Sequence, residues 1–138
     1  MKFLSERIEG LDALISARLG GTPVSLQPIP GKIPVVQLVI GGREELPIFL
    51  TASPDQILCI CQLWHDDEVR PEKRMELLEL MLDLNPAIPL SSFGRLASRH
   101  VLFGALSVEA ALADLASDVV ALSDNALDAL ETLSGYLL

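Results

Sequence analysis

Apolar positions change period along the chain, and each change marks an element. Between residues 3 and 19, Leu4, Ile8, Leu11, Leu14 or Ile15, and Leu19 recur at three- and four-residue steps, while Glu6, Arg7, Glu9 and Asp12 fall mostly elsewhere. That is one amphipathic helix, stopped by Gly20-Gly21 with Pro23 beyond. From Val24 the pattern becomes short, β-branched and alternating. "VSLQPI" (24–29), "PVVQLVIGG" (34–42), "ELPIFLTAS" (45–53) and "QILCICQLW" (56–64) read as four strands. Pro28 puts the first at a sheet edge, Gly41-Gly42 marks a hairpin loop, and Ser53-Pro54-Asp55 marks a turn. Residues 71–84, "PEKRMELLELMLDL", return to helical spacing, with Pro71 and Glu72 suited to the first turn and Asn85-Pro86 ending it. "LSSFGRL" (90–96) and "HVLFGAL" (100–106) form a second hairpin around Ala97-Ser98-Arg99, and Ser107 caps a helix running from about residue 108 to about 134. The order α-β-β-β-β-α-β-β-α predicts an α+β fold over residues 1–138 as one domain, with an antiparallel sheet and helices gathered on one side of it.

The last helix carries more apolar surface than one sheet contact needs. Leu112, Leu115, Val119, Leu122, Ala126, Ala129, Leu133 and Tyr136 form a seam, and Ala111, Val120, Leu127, Leu130 and Leu137 lie beyond it. Either the helix is deeply buried or it meets another chain; Leu112, Leu115, Val119 and Leu122 are the residues expected to carry association, as a homodimer. Asp114, Asp118, Asp128 and Glu131 form the narrow polar strip left over. The helix 71–84 shows a similar excess beside an acidic stripe of Glu72, Glu76, Glu79 and Asp83.

Charge narrows the partners. The 138-residue chain has a formal net charge of −9 and a mean hydropathy of +0.42. Six acids and no Lys or Arg lie beyond residue 100. Nucleic acid is disfavoured as a partner because phosphates would be repelled, and an anionic membrane surface for the same reason. A basic protein segment is what this field attracts, steered by Asp114, Asp118, Asp128 and Glu131. No stretch approaches the roughly 18 uncharged apolar residues of a membrane span. Glu6, Arg7, Glu9 and Asp12 interrupt any signal-peptide core, so the chain is expected in the cytoplasm with its two thiols reduced.

Candidate chemistry concentrates in "QILCICQLWHDDEV" (56–69). In an extended strand Ile57, Cys59, Cys61 and Leu63 share one face and Leu58, Ile60, Gln62 and Trp64 the other. Cys61 to His65 is four steps, roughly 13 Å along a strand, too far for one zinc ion with ligands at about 2.0–2.3 Å. The cysteines read as small buried hydrophobes. His65, Asp66, Asp67 and Glu68 read as a solvated turn; the rival reading is a small metal-binding protein or a hydrolase that uses His65, Asp66 and Asp67, with Ser92 or His100. No nucleophile elbow, dinucleotide fingerprint or phosphate-binding loop is present, and His100 is expected at the hairpin turn, exposed. No catalytic residue, cofactor or metal is assigned. A structural subunit of a larger assembly is a third reading.

From about residue 45 onward, "ELPIFLTAS", "DQILCICQLWHDDEV", "NPAIPLSSFG", and "LFGALS" followed by "LSDNALDALE" resemble the YjfI-like bacterial proteins, a family of unknown function. Residues 1–40 match only in pattern, and where the family usually has an aromatic in the second hairpin this chain has "RLASRHV". The resemblance supplies no catalytic residue. It implies a link to a phage-shock-protein-A-like partner and thus to envelope stress. Element order and acidity are also similar to the class I type III secretion chaperones and their YbjN-like relatives, which implies an acidic dimer that binds extended protein segments.

Overall fold

The computed structural model describes residues 3–138. Six strands, β1 (Val24–Ile29), β2 (Val35–Ile40), β3 (Ile48–Ala52), β4 (Gln56–His65), β5 (Ser92–Leu96) and β6 (Arg99–Ser107), form one sheet in the order β1-β2-β3-β4-β6-β5, with every neighbouring pair antiparallel. The first four make the expected meander, and β1 is an edge strand as Pro28 required. The β5–β6 hairpin then returns so that β6 lies against β4 and β5 becomes the opposite edge. Four helices, α1 (Phe3–Arg7), α2 (Leu11–Arg18), α3 (Arg74–Leu84) and α4 (Leu112–Thr132), complete the α+β fold.

Strand alternation decides where the core sits. Val36, Leu38, Ile48, Leu50, Cys59 and Leu102 point to one side and are buried, together with Leu4, Leu11, Ile15, Leu77 and Met81 from α1, α2 and α3. The described helices therefore share one face of the sheet, as expected. β4 departs from simple alternation: a bulge between Gln62 and Trp64 swings Trp64 onto the cysteine face. Trp64 is 2% exposed beside His100, with ring centroids 5.7 Å apart.

Four elements differ from the sequence reading. The helix expected over 71–84 opens as a 3-10 turn at Pro71–Lys73, and α3 itself starts at Arg74. The expected helix over 3–19 is two helices, because Gly10 sits at φ +87, a left-handed conformation that interrupts the helix. The last helix begins at Leu112 with Ala111 as its N-cap residue; the Ser107 hydroxyl instead accepts from the Glu109 amide in a preceding turn. The second hairpin turns more tightly than expected, on Ala97, at φ +54, and Ser98, so Arg99 belongs to β6.

The seam of α4 faces inward. Leu115, Val119 and Leu122 are buried in the chain's own core, and Leu112 is half-buried at the start of the helix. The surface read as an association seam is thus the inner side of the helix, covered by the sheet and by α2. Arg18 of α2 fixes that contact by donating to the Ser117 hydroxyl at 2.6 Å and the Ala113 carbonyl at 3.1 Å. Leu122→Ala should cost about 2–5 kcal/mol of stability, the range for emptying a buried leucine site. In chemical denaturation this shows as a lower midpoint, with the solution mass unchanged from the parent protein.

Candidate functional site

The opposite face of the sheet is the larger surface left open by the described helices. Val39 of β2, Phe49 of β3, Leu58 and Ile60 of β4, and Phe103 of β6 stand side by side on it, each half-buried. Around them lie Ser25, Gln27, Gln37, Thr51, Gln56 and Gln62. The strand positions of this face carry charge only at the hairpin end, at Arg99 beside His65. In a chain where 21% of residues are charged, that depletion is the compositional mark of an interface core with a polar rim. Val101 is 1% exposed here yet stands apart from the main core cluster. Gly94 lets the Phe103 ring lie across β5: a Cβ at Gly94 would meet the ring at 2.8 Å.

This apolar surface continues around the β5 edge onto α3. A groove lined by Leu78, Leu82, Phe93, Gly94 and Arg95 adjoins one lined by Leu58, Ile60, Leu96 and Phe103. The edge itself is closed at its centre. The Asn85 side chain accepts from the Phe93 amide at 2.6 Å and donates to the Phe93 carbonyl at 3.4 Å, so both main-chain groups are already paired.

The polar residues flagged in the sequence form a hub beside this groove. Asp66 accepts from the Arg95 guanidinium through Nη2 and through Nε at 3.3 Å, and from His100 Nε2 at 2.7 Å; Arg74 Nη1 lies 3.6 Å away. Its amide donates to the Ser98 carbonyl at 2.7 Å. One carboxylate thus ties the end of β4 to both strands of the hairpin and to the first turn of α3. The Arg95 hydrogen bond is the largest cause; with the His100 hydrogen bond and the charges of Arg95 and Arg74 it outweighs the opposing effect of burial, itself larger than that of His100, and holds the Asp66 carboxyl well below the usual carboxylate range.

The expectation of an exposed His100 is corrected: it is 1% exposed, because it is the second residue of β6 and points to the core side under Trp64. Ser92 pairs with Phe103 and lies on the opposite sheet face from His100, so the two cannot act as nucleophile and base. The neighbouring acids diverge. Asp67 meets His65 Nδ1 at 2.9 Å, and Glu68 accepts from the His65 amide at 2.9 Å in a capping box. Among the described residues no three His, Cys, Asp or Glu side chains are placed to hold a metal ion.

Cys59 and Cys61 are free, buried thiols on the core face, as read from the sequence, and burial pushes both up to about 12. On α4, Asp114, Asp128 and Glu131 are exposed, and Asp118 is half-buried, its carboxyl raised by desolvation and by Asp114 nearby. Asp114, Asp128 and Glu131 therefore lie toward solvent, where Asp124 also pairs with Arg43 at 2.8 Å, while Asp118 turns partly inward near Cys59.

Sequence reasoning missed two features. The open sheet face was written in the strand alternation, as Phe49, Leu58, Ile60 and Phe103, but which face the helices would cover was not. The Asp66 hub joins residues 29 and 34 positions apart, and no local spacing signals such a pairing.

This α+β chain, with one face of its sheet open and acidic helices on the other, belongs to the bacterial family described as "Uncharacterized protein conserved in bacteria (DUF2170)", whose model matches residues 9–137. The family resemblance read from the second part of the sequence is thereby borne out and extended upstream through α2 and β1. No curated protein matches the chain. Among solved structures it is similar to the crystal structure of the ExsC–ExsE complex, at 14% identity over 93% of this chain and 94% of that one, with a TM-score of 0.49.

Two outcomes test the site chemistry. Because folding favours ionised Asp66, its contribution is complete above the unfolded carboxyl value of about 3.9 and is lost as pH falls below it. Asp66→Asn should be less stable than the parent at pH 7 in chemical denaturation, and the gap should shrink below about pH 4. A thiol-specific reagent at pH 8 should label neither cysteine of the folded protein and both in denaturant.

Proposed function

We propose that this protein is a non-catalytic binding module that holds another protein chain, in a chaperone-like or envelope-stress adaptor role, and that it works as a homodimer in the cytoplasm. The observation that carries the reading is the sheet face that the described helices leave open: Phe49, Leu58, Ile60 and Phe103 side by side and only half-buried, ringed by uncharged polar side chains. Apolar patches of this kind mark protein-binding surfaces. A second copy is the occupant that suits it. A chain with a net charge of −9 repels its own copy everywhere except where charge has been removed, and this face is where it has been removed. Two such faces would stack as a sandwich about 10 Å thick.

Association thus moves from the inner seam of α4 to the open face; Leu112 alone among the four residues read for it keeps surface at the helix start. On α4 the exposed Asp114, Asp128 and Glu131, with the half-buried Asp118 beside them, steer a basic client segment, as the charge distribution implies. A phage-shock-protein-A-like client is the partner that the family resemblance suggests.

Sedimentation equilibrium tests the reading. The parent protein should show twice the 14.9 kDa mass of one chain, and Ile60→Lys should return it to one chain mass with unchanged far-ultraviolet dichroism. A parent protein that sediments as a monomer at tens of micromolar would remove the dimer from the proposal.

A further inference from the structure

The exposed side of α3 separates two chemistries into adjacent lines. At 3.6 residues per turn, Leu77 and Met81 point inward and are buried. Met75, Leu78 and Leu82 form a line on the flank nearest β5, with Met75 69% and Leu82 70% exposed. Glu76, Glu79 and Asp83 form the next line around, and Glu72 sits in the 3-10 turn Pro71–Lys73 just ahead of the helix, all exposed. None of the four lies within ion-pairing distance of a described basic group, while Asp66, Asp67 and Asp124 are all paired. Leu78 and Leu82 line the groove floored by Phe93 and Gly94, with Met75 beyond its lining; the Arg95 side chain on its wall is already paired with Asp66.

We infer that this groove takes a basic amphipathic helix from a partner protein. The inference rests on the protein-binding reading above and names the surface and the chemistry of the client. Three observations select that occupant. The apolar line spans one heptad at i, i+3 and i+7, the spacing at which helices engage each other, and Met75 adapts its shape to different anchors. The four unpaired carboxylates beside it call for Lys or Arg on the flank of the incoming helix. The β5 edge is already occupied at Phe93 by the Asn85 amide, which shortens the edge open to a client strand and favours side-chain docking. A second copy is the wrong occupant. A two-fold axis through the α3 line would set Glu76, Glu79 and Asp83 against their own images, a like-charge contact that opposes association.

The probe is a fluorescent model peptide of about 18 residues, long enough to fold as a helix on contact, with Leu at heptad spacing and Lys elsewhere. A scrambled peptide of the same composition controls for charge alone. Anisotropy titration should show micromolar binding of the heptad peptide, weakened at least tenfold by Met75→Ser with Leu82→Ser. It should weaken similarly with Glu76→Gln, Glu79→Gln and Asp83→Asn together, and as salt rises. Glu9→Gln with Glu45→Gln, two exposed acids away from both acidic helix strips, should leave binding within about twofold of the parent, and thermal melts of every variant should match the parent. Equal binding of the scrambled peptide, binding indifferent to Met75→Ser with Leu82→Ser, or no binding overturns the inference. None of these results touches the open-face reading, which sedimentation of Ile60→Lys decides separately. If Met75→Ser with Leu82→Ser instead halves the sedimentation mass, this flank is a self-interface and the inference is wrong.

Discussion

A six-stranded sheet has two apolar faces to dispose of, and the described helices of this chain cover only one. That constraint organises everything else. The covered side holds Trp64, the two thiols, His100 and the inner seams of α1, α2, α3 and α4. The uncovered side is left with aromatic and β-branched residues at its centre and amides and hydroxyls at its margin. Covering the second face from within would take another helix. The final helix, the longest in the chain at 21 residues, instead lies on the same side as the others and adds its acids to that outer surface.

Asp66 keeps the two sides of the molecule in register. Its carboxylate is the point at which β4, the second hairpin and α3 meet, and its three cationic or hydrogen-bonding neighbours all come from elements that border the groove. Because each partner lies on a different element, loss of this one charge would free the hairpin tip and the α3 start together. The bulge that carries Trp64 inward, just before Asp66, sets the angle at which the strand leaves the sheet.

Much of this was legible in the residues. The alternation of "VVQLVI", "PIFLTA" and "QILCICQLW" gave the strands, and the burial of both cysteines followed from their aliphatic neighbours. The acidic turn read as a solvated cap is one for Asp67 and Glu68. It is not one for Asp66, whose partners come from distant sequence. The kink at Gly10 was hidden because the apolar spacing continues unbroken across it, and a left-handed glycine leaves no trace in periodicity. The excess apolar surface of the last helix was real, but helical spacing alone does not tell an inner seam from an outer one. The surplus that reaches solvent sits mainly on α3 and on the open sheet face.

The position of β6 has a consequence for how the chain is made. β4, ten residues without Lys, Arg, Asp or Glu, is interior only because β6 lies beside it. During synthesis it emerges well before residues 99–107, and until the hairpin arrives it is a long border without Lys, Arg, Asp or Glu, with unpaired amides along one side. Such borders template intermolecular pairing. The interval between emergence of Gln56–His65 from the ribosome and emergence of Arg99–Ser107 is therefore one in which nascent chains have an open border along which to stick to one another.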